Sequence, residues 1–273
     1  MSLYKYYHPD SFDFICVEGG VSARFSQPDL LNDTYEFNGS IDEQLFLDRT
    51  RNILEESGIP TNSIENEKIK TLSERLKKYF IRDYDNVMST HIKNKMGIFS
   101  LSVKKHSRAM WSYYSHNHSG FMISFSTNEE FHPPFIQGDD NFGKGHVKYT
   151  DIRPESILAL MKKSDAMKKN DSEKMLLDFF LTKDDHWKHE EEFRIIASVN
   201  DLPSTKIDHH GFRIHSFTVP AHQIESITLG VRASDDLERK ARIWIEDNQK
   251  KIKLYRATPC NLRYDFEDIK LTI

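Results

Sequence analysis

The chain has 273 residues, 38 Lys plus Arg against 42 Asp plus Glu, 38% hydrophobic residues and 12% aromatics. The formal charge of −4 excludes a broadly basic nucleic-acid-binding surface. The aromatic content argues against disorder over most of the chain, and two cysteines, Cys16 and Cys260, are too few for a disulfide scaffold.

In chain order, LYKYY (3–7) reads as a strand, and 14–26 as a helix end or strand, a Gly19-Gly20 turn and a further strand. Residues 41–95 turn polar and helical in period, with Ile69, Leu72, Leu76 and Phe80 on one stripe. GIFSLSV (97–103) alternates as a strand, placing Phe99, Leu101 and Val103 on one face and Ser100 and Ser102 on the other. RAMWSYYSHN (108–117) fits a helix with Met110, Trp111 and Tyr114 on a common side, and GFMISF (120–125) and HVKYT (146–150) read as strands. Residues 155–183 read as one or two helices interrupted by a Lys-rich stretch, MKKSDAMKKNDSEK, that reads as a solvated face or mobile turn. Strands are expected at 191–199, 212–219, 226–230 and 252–257, with a helix capped by Ser234 and a closing segment near 262–272.

The irregular interleaving predicts an α+β fold. Its mixed, mostly antiparallel or split sheet would carry flanking helices, with 41–95 as a helical insert or lid in a single domain 1–273. No apolar run approaches the roughly 20 residues of a membrane helix, and MSLYKYYHPD lacks the pattern of a secretory signal. A cytoplasmic protein without a membrane partner is expected. No Gly-rich phosphate loop of the Rossmann or Walker kind is present.

Three stretches carry candidate chemistry. In WKHEEEFR (187–194), a strand beginning near Glu192 puts Glu192, Arg194 and Ile196 on one face, with Glu190 at its entrance. A carboxylate beside a guanidinium can orient a substrate hydroxyl or stabilise developing positive charge. The alternative is a strand edge whose charges face water.

In FSLS and MWSYYSHNHSG (99–102 and 110–120), Ser100 and Ser102 offer two hydroxyls on one strand face. Tyr113, His116 and Asn117 share a helix side, and His116 is a candidate acid or base. In DLLNDTYE (29–36), Asn32, Asp33 and Glu36 fit either a divalent-ion site or a capped turn. The histidine pairs His186/His189 and His116/His118 find no third ligand at a zinc spacing, so no metal is predicted.

Taken together and in order, LYKYY, LLNDTYE, FSLS, MWSYYSHNHSGFMISF, VKY (147–149), WKHEEEFR and ESITLGVR (225–232) resemble the bacterial domain-of-unknown-function family 2971. That family has Asn-Asp-Pro-Phe-Glu where this chain has Asn32-Asp33-Thr34-Tyr35-Glu36. The order of elements is similar, more distantly, to the ADP-ribosyltransferase superfamily. That resemblance implies an NAD-consuming enzyme of defence or toxicity. Lys5 or His8 would sit on its first strand and Ser100 and Ser102 on a second. Glu192 or Glu190 would face the oxocarbenium-like transition state, with Tyr113 or Trp111 stacked on nicotinamide. NAD would be the substrate and the acceptor an unknown macromolecule or small molecule. A metal-dependent nuclease or hydrolase using Asp33, Glu36, Glu190 and Glu192, and a non-catalytic ligand-sensing or interaction module, are the alternatives.

Overall fold

The computed structural model describes residues 2–37, 39–40, 43–88, 95–126, 143–154, 169–208, 211–248 and 251–272. The chain divides into two compact units, one built from Met1–Ser26, Gly97–Tyr149 and Lys183–Ile273, the other from Gln27–Met96 and Thr150–Thr182.

The first unit is a two-sheet structure. Its strands are β1 (Ser2–Tyr7), β2 (Cys16–Val17), β3 (Gly20–Phe25), β4 (Met96–Ser102), β5 (Phe121–Ser126), β6 (Gly143–His146), β9 (Glu192–Ser198), β10 (Ser204–Ile207), β11 (Arg213–Pro220), β12 (Ile224–Leu229), β13 (Lys253–Pro259) and β14 (Phe266–Leu271). β7 (Lys148–Thr150) and β8 (Thr182–Asp184) make a separate two-stranded pair, and a short helix, α1 (Phe12–Ile15), lies between β1 and β2 in the chain. Eight strands form one sheet in the order β14-β13-β12-β5-β1-β4-β9-β6, and four form a second in the order β10-β11-β3-β2.

The pairings of β1 with β4 and β5, β5 with β12, β6 with β9 and β13 with β14 are antiparallel. Only β12 and β13 are parallel among the registers described, joined through the helix Asp235–Asn248 as a parallel pair requires. The mixed, mostly antiparallel sheet matches the α+β expectation.

The expected strands recur within a residue or two except HVKYT, which divides at Val147 between β6 and β7 in different sheets, and Ser234 Oγ caps the Asp235–Asn248 helix by accepting from Leu237 N–H at 3.2 Å. β6, read as loop up to His146, and β8, at the end of the expected 155–183 helices, were not anticipated, nor was β10. Its STKI alternates too briefly to stand out, and it forms because β11 offers it an antiparallel edge. The predicted helix over 108–117 stops at Tyr113 (α4, Arg108–Tyr113). His116, Asn117 and His118 follow in the left-handed region at φ 49°, 52° and 68°.

One apolar cluster joins the two sheets and the Asp235–Asn248 helix. It takes Leu3, Phe99, Leu101, Phe125, Ile195 and Ala197 from the large sheet, Val21, Phe25 and Val219 from the small one, and Leu237, Ala241 and Ile245 from the helix. Tyr6, Trp111, Met122 and Ala257 form a second cluster, with Met110 and Tyr114 packed on it. The shared side predicted for Met110, Trp111 and Tyr114 is therefore realised.

The second unit holds α2 (Glu43–Glu56), α3 (Asn66–Met88) and the helix Lys169–Phe180. α2 packs along α3. The rings of Phe37, Phe179 and Phe180 cluster, with Phe37 centroid distances of 6.2 and 5.2 Å to the other two. The α3 stripe is displaced from the expected one. Ile69 and Ser73 are buried and Leu76 half-buried, whereas Leu72 is 38% exposed; the Phe80 side chain lies outside the described residues. Most of the Lys-rich stretch 161–174 also lies outside them.

No helix among the described residues is long and apolar enough to cross a membrane.

Candidate functional site

The site begins with strand alternation. On β4 and β9 the residues Phe99, Leu101, Ile195 and Ala197 point into the core. Successive strand side chains take opposite faces, which sends Ser100, Ser102, Glu192 and Arg194 to the other side of the sheet. Before β9 the chain makes a 3-10 turn, Asp185–Glu190, and Glu191 follows in the left-handed region at φ 43°. Glu191 points to solvent and pairs with Lys104 at 3.2 Å. Its two neighbours turn inward, so that Glu190, Glu192 and Arg194 are 3%, 4% and 0% exposed. The expectation of charges facing water is thus overturned: β9 is flanked by β4 and β6 and is not an edge.

These groups form a buried ion network. Arg194 holds Glu192 with two hydrogen bonds, Nε to Oε1 at 2.9 Å and a terminal nitrogen to Oε2 at 3.0 Å. Lys183 Nζ lies 2.7 Å from Glu190 Oε2 and 3.2 Å from Glu192 Oε2, and packs 5.1 Å from the Trp187 ring centroid. Tyr114 Oη donates to Glu190 Oε1 at 2.5 Å. The Ser100 hydroxyl lies beside the Glu192 carboxylate and favours its ionised form, and Ser102 Oγ donates to the Glu190 carbonyl at 2.6 Å. Tyr149 Oη accepts from the Glu192 N–H at 2.8 Å. Lys5 Nζ donates to the Ser100 carbonyl at 2.6 Å and sits 4.9 Å from the Phe99 ring centroid.

Burial and pairing compete throughout this network. Burial pushes the Lys5 ammonium down to about 8, against the opposing pull of Glu192 and Glu190. Burial also depresses Lys183, but the same two carboxylates outweigh it and hold Lys183 above the usual lysine value. Burial raises the Glu192 carboxyl, with Lys183 pulling it back. The Tyr149 hydroxyl is raised, mainly by burial, and stays neutral.

All four carboxylate oxygens of Glu190 and Glu192 already have partners. An ammonium occupies the place between them that a divalent cation would take. The pair does not present a metal-binding face.

The other sequence candidates are placed as follows. His8 and His116 face each other with ring centroids 4.4 Å apart, and His8 Nδ1 accepts from the Asp10 N–H. Tyr113 is 69% exposed, with its ring edge on His189 at 5.9 Å. Its neighbour Tyr114 is the residue whose hydroxyl reaches Glu190. Trp111 is fully buried against Tyr6 and leaves no ring face open for nicotinamide.

Asn32, Asp33 and Glu36 belong to the second unit. There the Asp33 carboxylate accepts from the Tyr35 N–H at 2.9 Å and its carbonyl from the Glu36 N–H at 3.2 Å, which is the capped turn. Among the described residues one trio, Asp184, Asp185 and His186, brings three metal-ligand atoms together. These are consecutive surface residues, and Asp184 Oδ1 is engaged in accepting the His186 N–H.

Sequence reasoning missed Lys183 and Tyr149 and assigned Tyr114 to packing alone. Lys183 is one of 38 basic residues and sits in a short TKD strand with no motif around it.

An α+β protein with a buried network of carboxylates, ammonium and guanidinium is the class that fold and site define. Residues 110–195 match the family model described as Protein of unknown function (DUF2971). The matched segment contains Tyr114, Tyr149, Lys183, Glu190, Glu192 and Arg194, while Lys5, Ser100 and Ser102 lie before it. No curated protein and no solved structure matches the chain.

Proposed function

We propose that the first unit is an NAD-consuming enzyme of ADP-ribosyltransferase type, with the Glu190–Glu192 pair facing the reacting ribose. The observation that carries this reading is the meeting of Lys5, Ser100 and Glu192, contributed by the neighbouring strands β1, β4 and β9. The chemistry asks for an ionised carboxylate held in place where the bond from ribose C1′ to the nicotinamide nitrogen breaks and positive charge grows on the sugar. Arg194 and Lys183 keep Glu192 oriented. Among the described residues Glu190 accepts two side-chain hydrogen bonds, one on each oxygen, and with roughly four accepting sites on a carboxylate each oxygen keeps a lone pair for a ribose hydroxyl.

Stability alone is a poor reason for the network. Buried ion pairs are often no better than apolar residues of the same volume, and clusters of perturbed ionisable groups gather at functional sites. Half-buried Lys5, Ser100, Tyr114 and Tyr149 form its partly accessible members, and exposed Tyr113 is available for stacking.

The test is nicotinamide release from NAD, measured by chromatography with cell lysate supplying the acceptor. Release by the wild type that falls roughly 100-fold or more in folded Glu190→Gln or Glu192→Gln protein is expected. Release no greater than in both folded variants would overturn the reading.

A further inference from the structure

We propose that Ser112 and His118 form a nucleophile–base pair acting on activated acyl or phosphonyl electrophiles, a second reactive centre that shares no residue with the carboxylate network. Ser112 Oγ lies 3.2 Å from His118 Nε2, within the reach expected of a nucleophile and its general base. Both residues are half-buried, shielded from bulk water without being sealed from it.

The imidazole is held from several sides. The His118 N–H donates to the Trp111 carbonyl at 3.1 Å, and the His118 carbonyl accepts from the Arg232 N–H at 2.9 Å. Its ring stacks on Trp111 at 6.4 Å and 13° and rests against Phe266 at 5.4 Å. Gly230 is where the chain passes the His118 carbonyl: a Cβ there would stand 2.2 Å from that oxygen. The three-residue left-handed run His116–His118 (φ 49°, 52° and 68°) brings the ring back over its own helix. β-Carbon-bearing residues seldom adopt that conformation, and where surrounding contacts enforce it, function is a frequent reason. Partial burial and the Arg232 guanidinium keep His118 below the ordinary histidine value, so the ring is neutral and able to accept a proton at pH 7.

In the proposed step the Ser112 hydroxyl donates to Nε2 of the Nδ1–H tautomer. Oγ then attacks the electrophilic carbon or phosphorus. The new O–C or O–P bond forms, the bond to the leaving group breaks, and that group departs with the electron pair. The hydroxyl proton passes to Nε2. With an ester, attack by water on the acyl-serine releases the acid and restores Ser112.

The experiment uses a fluorophosphonate probe on the full chain, with the labelled residue located by mass spectrometry. The expected result is one label, on Ser112, with fluoride lost. Ser112→Ala protein should take none. His118→Asn, chosen because asparagine tolerates the left-handed backbone, should label roughly 100-fold more slowly or less. Failure of the wild type to label under conditions that label a serine esterase completely would overturn the proposal. So would equal labelling of Ser112→Ala, or an undiminished rate in folded His118→Asn.

Discussion

Glu190 and Glu192 share one ammonium: Lys183 Nζ stands 2.7 Å from the first carboxylate and 3.2 Å from the second. Both carboxylates are nearly inaccessible, so their mutual repulsion has little water to screen it. Removing the ammonium in Lys183→Met is expected to cost about 3–5 kcal/mol of stability, because it leaves buried charge uncompensated.

The cost should depend on pH. Without Lys183 the buried Glu192 carboxyl, already raised by burial, holds its proton at pH values where the unfolded chain, titrating near 4.3, has released it. Such a group stabilises at low pH and loses that contribution as pH rises through its raised folded value. Thermal unfolding should therefore show a smaller gap between wild type and Lys183→Met at about pH 5 than at about pH 8. A gap independent of pH would mean that Arg194 and Lys5 alone balance the pair.

Burial moves the Lys5 ammonium to about 8 from the usual 10.5. Between those values the unfolded chain binds the proton and the folded protein does not, so stability rises with pH across that window. Lys5→Met should abolish that rise. Amine-reagent labelling followed against pH should place the Lys5 midpoint near 8; a midpoint above 10 would contradict the burial assigned to its ammonium.

Trp111 and Tyr113 are two residues apart and have opposite consequences. Trp111→Ala empties a fully buried position and is expected to cost about 3–5 kcal/mol, lowering Tm sharply. Tyr113, 69% exposed, should tolerate alanine within about 0.5 kcal/mol. If NAD stacks there, the same Tyr113→Ala protein raises KM for NAD while Tm stays put. An unchanged KM would remove Tyr113 from the site.

The two-residue period of FSLS and EFRIIA was enough to assign Ser100, Ser102, Glu192 and Arg194 to faces, because strand side chains alternate whatever surrounds them. For the same reason the mostly antiparallel α+β architecture and the Ser234 cap were legible. What covered those faces was not legible. Lys183 and Tyr149 lie in short strands with no pattern of their own, and the helical period put Tyr114 on the packed side without showing that its hydroxyl would reach Glu190, 76 residues on.

Burial was the hardest property to foresee. A Glu-Glu-Glu run reads as solvated on composition, and here the left-handed Glu191 presents one carboxylate to water while its two neighbours turn to the same ammonium. The sequence by itself determined the alternation and the cap, which depend on local backbone geometry. The tertiary structure decided which charges meet, because pairing across 9 residues from Lys183 to Glu192, or 76 from Tyr114 to Glu190, depends on how strands and turns far apart in the chain are brought together.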